Sequence, residues 1–305
     1  MAPRRRPRND LNDLTGKEWI KFTRTWFVCN SPRYWRNKPT ELHPARFPEE
    51  MVAEFLGFFT KRGGAVLDPF VGSGATLAAC AEEGRVGVGV ELTARYARAA
   101  ARRVKEATPK QAVIRGDARE IGRAEFWRKR REELEKAGIE FSRGLPQFDF
   151  CITSPPYWRM LSTSRGGVLS KHKQRAARGL DTAYSRRRDD LGNIAEYERF
   201  VEEVGGVFDK VRRCVKEGKY LVVVAQNLRD PEGRIRPMAW DLARRIEGAS
   251  AASYRSNSKG GRARWVLQGE RIWCQNTKPL GIWGYPKIFV PNYHHHYCLI
   301  FRKSQ

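Results

Sequence analysis

Paired cysteines, long apolar runs and acidic residues are all scarce in this chain of 305 residues. Its six cysteines (Cys29, Cys80, Cys151, Cys214, Cys274 and Cys298) stand singly, and no C-x-x-C pair occurs. That spacing argues against a zinc site and against the disulfide framework of a secreted protein, and it points to a reducing cytoplasm. The longest apolar runs, such as Tyr220 to Ala225, are far too short to cross a membrane, so no membrane partner is expected. The N-terminal Pro3-Arg4-Arg5-Arg6-Pro7-Arg8 lacks the apolar core of a signal peptide and reads as a disordered basic arm. No internal repeat is visible. Three of the five histidines are His294, His295 and His296, at what reads as a strand entry. Neighbours on a strand point to opposite faces, so a metal triad is not expected there. Acids number 34 against 58 lysines and arginines, leaving a net charge of +24. Such an excess implies a polyanionic partner, most simply nucleic acid.

Alternating short strands and amphipathic helices fill most of the chain. Residues 19–43 are irregular and aromatic-rich, fitting either a core-covering flap or a base-contacting surface. Pro48-Glu49-Glu50 opens a helix with proline and acids in its first turn. Ala65 to Asp68 reads as a buried strand, followed by Pro69-Phe70-Val71-Gly72-Ser73-Gly74-Ala75-Thr76 and a helix. A strand, a glycine turn and a helix N-terminus in succession can offer a ligand bare backbone N–H groups. Val86 to Glu91 is a second apolar strand, its acid about twenty residues past the glycines, where a carboxylate can accept from ribose hydroxyls. Ala112 to Arg115 is a third strand, running into Gly116-Asp117-Ala118. Three successive strands thus finish near a carboxylate: Asp68, Glu91 and Asp117.

A fourth strand, Phe148 to Ile152, runs into Thr153-Ser154-Pro155-Pro156-Tyr157-Trp158. Two consecutive prolines fix φ and remove two backbone donors, which frees nearby carbonyls from any ladder. The result is a stiff turn carrying acceptors and aromatic rings at a strand end. A long basic stretch follows, containing Arg165, Lys171, Lys173, Arg175, Arg178, Arg186, Arg187 and Arg188. Together with Trp158 these are the candidate nucleic-acid contacts, the cations placed for phosphates. A helix with Tyr197, Phe200, Val204 and Phe208 at helical spacing, a strand over 220–225, a helix over 236–247 and strands over 270–275 and 297–301 complete the chain.

The segments Asp68 to Thr76 and Thr153 to Trp158 together resemble the amino-methylating DNA methyltransferases, which act on cytosine N4 or adenine N6. The resemblance extends from about His43 to Arg302. It implies an α/β, class I methyltransferase (Rossmann-like) fold: a seven-stranded, mostly parallel sheet with helices on both faces and an antiparallel strand near one edge. On that reading residues 1–42 are a basic arm and aromatic flap. Residues 43–305 are a single catalytic domain, with basic insertions at about 159–190 and 248–265. The resemblance implies S-adenosyl-L-methionine as cofactor, S-adenosyl-L-homocysteine as product, and no metal. It implies cofactor contacts at Asp68, Pro69, Phe70, Gly72, Ser73, Gly74, Glu91, Asp117 and Ala118. The catalytic turn would be Ser154, Pro155, Pro156 and Tyr157, acting on a base flipped out of double-stranded DNA, with Tyr157 stacking on it. Serine before Pro-Pro-Tyr is the form found more often with cytosine N4; adenine N6 is the alternative.

An RNA amino-methyltransferase shares the same turn and the same phosphate attraction, so RNA is the rival partner. A non-enzymatic binder on this scaffold is disfavoured by the intact Asp68, Gly72, Gly74, Ser154 and Tyr157. A nicotinamide enzyme would want Gly-x-Gly-x-x-Gly, and position 77 is Leu. Methylation at cytosine C5 would need a cysteine nucleophile, and no Pro-Cys pair occurs.

Overall fold

In a computed structural model, residues 9–30, 47–158, 190–230, 232–248, 263–278, 280–282 and 284–304 are described. The expected basic arm, part of the aromatic segment, and the cationic residues from Arg165 to Arg188 lie outside them. The central strands are β2 (Ala65–Asp68), β3 (Val86–Glu91), β7 (Phe148–Thr153) and β8 (Val215–Ala225). They read as nearly unbroken apolar runs because helices cover both faces of a parallel sheet. Period-two alternation divides their side chains between two cores. Leu67, Val88, Cys151, Leu221 and Val223 face helices α5 (Tyr197–Cys214) and α6 (Met238–Glu247). Val66, Phe150, Ile152, Val222 and Val224 face α2 (Glu49–Phe59) and α3 (Ala75–Glu82).

Four further strands complete the main sheet: β1 (Trp26–Val28), β4 (Ala112–Arg115), β11 (Arg264–Cys274) and β12 (His295–Ser304). The order is β1-β11-β12-β8-β7-β2-β3-β4. Every neighbouring pair is parallel except the two made by β12, which runs against β8 and β11. This is the mostly parallel α/β arrangement that the resemblance implies, with an antiparallel strand set one place in from the edge of the expected seven. Two short hairpins, β5 (Phe141–Ser142) with β6 (Leu145–Pro146) and β9 (Leu228–Arg229) with β10 (Ile235–Arg236), lie outside the main sheet.

The sheet has eight strands, one more than expected, because β1 adds itself to β11. Residues 16–28 are correspondingly less irregular than their sequence suggests. Helix α1 (Gly16–Phe22) starts at Thr15, which forms a capping box with Glu18. The segment is fixed by Arg271, whose guanidinium lies 4.1 Å from the Phe22 ring centroid and 4.4 Å from that of Phe27. Arg271 also donates to the Arg24 carbonyl and pairs with Glu54 at 3.2 Å. Cation–π contacts and a charge partner offset the cost of burying this cation.

Candidate active site

From β2 the chain steps outward through β3 to β4, then returns to place β7 on the other side of β2. At such a reversal the loops after the two central strands leave in opposite directions, opening a crevice at their carboxyl ends. A cleft of ≈ 650 Å³ lies there. Its walls are Pro69 and Phe70 after β2, Glu91 to Thr93 after β3, Gly116 to Arg119 after β4, and Ser154 to Pro156 after β7, with Tyr96, Asp190 and Leu191 closing it. Residues from four strand ends, predicted separately, therefore share one space. Asp68, Gly72, Ser73, Gly74, Tyr157 and Trp158 do not line it.

Asp68, expected as a cofactor contact, is a pin inside the protein. Its carboxylate is buried and accepts from the Phe70 N–H (3.0 Å), the Thr76 hydroxyl (2.5 Å) and the Thr153 hydroxyl (2.6 Å). One side chain thus ties the end of β2 to the first turn of α3 and to the last residue of β7. Burial pushes its pKa up to about 6, against the opposing pull of those hydrogen bonds.

The glycine turn is likewise spent on internal bonds. The Val71 N–H donates to the Val90 carbonyl (3.0 Å), Gly74 to Val71 (2.9 Å), and Gly72 to Glu91 Oε2 (3.1 Å). Gly74 sits at φ 86°, and a Cβ there would come within 3.1 Å of Ala100, so glycine lets α3 pack close to helix α4 (Ala94–Arg103). The expectation of bare N–H groups is therefore corrected at Phe70, Val71, Gly72 and Gly74. Ser73 Oγ, in the same turn, is buried and lacks a partner.

Glu91 does reach the cleft. Its other oxygen accepts from the Thr93 N–H at 2.7 Å, so two backbone donors aim the carboxylate. Burial pushes its pKa up to about 7, opposed by the bonds to Thr93 and Gly72 and assisted by the charge of Asp190. Asp117 caps the short helical turn Ala118–Glu120 by accepting from the Arg119 N–H at 2.9 Å. Its carboxylate is also gripped by the Arg119 guanidinium, with Nη2 to Oδ2 at 2.6 Å. Tyr96, Arg119 and Leu191 carried no functional signal in the sequence. Asp190 Oδ1 accepts from the Gly192 N–H at 2.9 Å, which holds its carboxylate at the start of the short turn Leu191–Asn193.

At the Ser-Pro-Pro-Tyr turn, Ser154 is part-exposed and Pro155 is buried. Ser154 Oγ has a long contact of 3.4 Å to Tyr157 Oη, which itself lies 3.5 Å from the Val224 carbonyl. Tyr157 is only 5% exposed, its ring tilted towards His296 at 6.4 Å between centroids. No face of it is open to a stacking base in this structure. Trp158 departs further from expectation. It is 6% exposed, donates its indole N–H to the Ala195 carbonyl (3.2 Å) and packs edge-on against Tyr197 (5.2 Å). Trp158, expected as a nucleic-acid contact, is a core residue in this structure.

His296, the second residue of β12, lies beside this turn. It stacks on Trp273 at 4.6 Å, and burial pulls its pKa down to about 3, so the ring is neutral near pH 7. Among the described residues, no group of three His, Cys, Asp or Glu side chains is placed to hold a metal ion. The cleft suits a nucleoside instead. Two strand-end carboxylates can accept from hydroxyl or amino groups, and Phe70, Leu92 and Leu191 supply apolar walls for a flat ring.

A family model described as DNA methylase matches residues 4–102, a span carrying the Asp68 turn and Glu91 and ending before Asp117 and Ser154. The type II methyltransferase M.ScaI of Streptomyces caespitosus is 37% identical over 54 residues, 18% of this chain and 18% of that protein. The type II methyltransferase M.BglI of Bacillus subtilis is 32% identical over 89 residues, 28% of this chain and 24% of that protein. The matches thus span about a quarter or less of these relatives' lengths. Among solved structures, TrmN from Thermus thermophilus aligns with 90% of this chain and 54% of its own, at 12% identity and a TM-score of 0.48. The DNA methylase match and the two type II methyltransferase relatives are thus what parts of this chain are similar to, over about a third of its length or less.

Proposed function

We propose that this protein binds S-adenosyl-L-methionine in the cleft and transfers its methyl group to the exocyclic amine of a base flipped out of DNA, cytosine N4 in preference to adenine N6. The observation that carries the reading is the sharing of one cleft by Glu91 and Asp117 with Ser154 and Pro155. Glu91 would accept from the ribose hydroxyls and Asp117 from the adenine amino group, with Phe70 and Leu191 flanking the ring. When bound, the cofactor supplies a methyl on a positively charged sulfur, whose thioether leaves without protonation.

The residues of the turn meet the remaining requirement. An exocyclic amine is a poor nucleophile because its lone pair is delocalised into the ring. Acceptors that hold both its hydrogens out of the ring plane draw the nitrogen towards a tetrahedral shape. Ser154 Oγ and the Pro155 carbonyl are those acceptors. A serine hydroxyl that donates towards Tyr157 keeps its lone pairs for the amine. The nitrogen gains a carbon and releases one hydrogen as a proton to solvent. Positioning of the two reactants supplies much of the acceleration. Serine before Pro-Pro-Tyr supports the cytosine N4 preference through the family resemblance.

The test combines calorimetry with transfer of a labelled methyl group to DNA. Ser154→Ala is expected to bind the cofactor as the parent does and to lose methyl transfer by about a hundredfold or more. Unchanged transfer in Ser154→Ala would reject the assignment.

A further inference from the structure

Between β11 and β12 the chain projects as a tongue from the sheet edge that carries Ser154. β12 is antiparallel, so its first residues lie level with the carboxyl end of β8, where Tyr297 pairs with Ala225. That places the root of the tongue beside the Ser-Pro-Pro-Tyr turn, with His296 against both Tyr157 and Trp273. The tongue is cross-braced. Gln275 N donates to the His294 carbonyl (2.7 Å), and Lys278 Nζ donates to the Tyr293 carbonyl (2.6 Å). The Asn292 side chain bonds both the N–H and the carbonyl of Gly281, each at 2.9 Å. At the tip the N–H groups of Lys287 and Ile288 close onto the Gly284 carbonyl (2.8 and 2.9 Å). Gly284 has φ 73°, and a Cβ there would strike the Ile288 carbonyl at 2.4 Å. The tight tip thus demands glycine.

Five large apolar side chains of this braced backbone turn outward. Ile282, Tyr285 and Phe289 are 86%, 82% and 86% exposed, and Leu280 and Ile288 are exposed beside them. Five large apolar side chains in water on one short loop mark an interaction surface. The charge selects the partner. From 275 to 294 the sequence contains no acid and two lysines, on a chain of net charge +24. Two such copies repel each other, whereas a polyanion is attracted. Apolar and aromatic groups on a basic protein can enter a base stack, where a wedge parts neighbouring bases.

We infer that residues 280–282 and 284–292 of the tongue form a wedge for duplex DNA, with Tyr285 and Phe289 entering the stack beside the base presented to Ser154. The inference rests on the reading of the cleft as a site for a flipped base. The wedge lowers the cost of extruding that base from a duplex and contributes nothing once the DNA is single-stranded.

The experiment compares the parent protein with the double substitution Tyr285→Ala and Phe289→Ala. Closed circular plasmid is relaxed by topoisomerase in the presence of each protein, and labelled methyl transfer is measured on duplex and on heat-denatured genomic DNA. The parent is expected to unwind the plasmid and shift its topoisomers. The variant is expected to lose that shift and to methylate duplex DNA about tenfold more slowly, while matching the parent on denatured DNA. A topoisomer shift retained by the variant, or absent with the parent, overturns the wedge. So does self-association that the substitutions abolish while the shift persists. Failure of the parent to methylate either DNA form counts against the proposed function, and the topoisomers alone then decide the wedge.

Discussion

Replacing Asp68 separates a structural pin from a ligand contact. Asp68→Ala leaves three donors without their acceptor: the part-buried Phe70 N–H and the buried hydroxyls of Thr76 and Thr153. Each orphaned donor costs about 1–3 kcal/mol. Against this, the parent pays for burying a carboxylate whose pKa rises from 3.8 to about 6, a shift equivalent to about 3 kcal/mol. The net loss for Asp68→Ala near neutral pH is therefore about 0–6 kcal/mol. Asp68→Asn retains an acceptor for Phe70 and can donate to a threonine hydroxyl that rotates to accept, so its loss is about 1 kcal/mol. The pH dependence gives the sharper discrimination. Between pH 3.8 and about 6 the folded protein holds a proton at Asp68 that the unfolded chain has released. This contribution to stability accordingly falls as pH rises through that window and levels off above it. Asp68→Asn removes the fall. Urea unfolding followed by tryptophan fluorescence at pH 4.5 and 7.5 measures it as the difference between parent and variant. An Asp68→Asn curve that tracks the parent across the window would refute the reasoning. So would a variant of unchanged stability that has lost cofactor affinity.

Glu91→Gln should weaken S-adenosyl-L-methionine binding about tenfold or more, because a charge-assisted acceptor is lost. With Glu91 ionising at about 7 in the free protein, the parent's affinity should fall by up to about tenfold per pH unit below that value. The variant should show a flatter profile by calorimetry; equal slopes would remove Glu91 from the ligand. Trp158→Ala should cost about 3–5 kcal/mol in urea unfolding, as loss of a core aromatic does, and leave the salt slope of DNA binding unchanged. A shallower salt slope with parental stability would return Trp158 to the nucleic-acid surface. Tyr157→Phe should preserve cofactor binding and lower turnover, since Ser154 loses the oxygen that receives its hydrogen; parental turnover would show that this contact is idle.

The four central strands were legible because burial on both faces writes them as short apolar runs that need no partner to be recognised. The cleft was legible for a related reason: acids and a double proline at strand ends mark where ladders stop. What stayed hidden depended on residues far apart in the chain. An acid after β2 reads the same whether it faces a ligand or a protein donor, and the donor that decides, Thr153, is 85 residues away. Trp158 next to a suspected catalytic turn reads as a contact surface until Tyr197 and the Ala195 carbonyl are seen to enclose it. The strand β1 has only three residues, and its place is set by Arg271 and β11 from the other end of the chain.

The most direct measurement of the central claim is the identity of the methylated nucleoside. The protein is incubated with S-adenosyl-L-methionine carrying a labelled methyl group and with duplex DNA, denatured DNA or RNA, and each product is digested to nucleosides and separated. The account predicts label in N4-methyl-2′-deoxycytidine from DNA, and its disappearance with Ser154→Ala. Label on a ring carbon, label confined to RNA, or transfer that survives Ser154→Ala would contradict it.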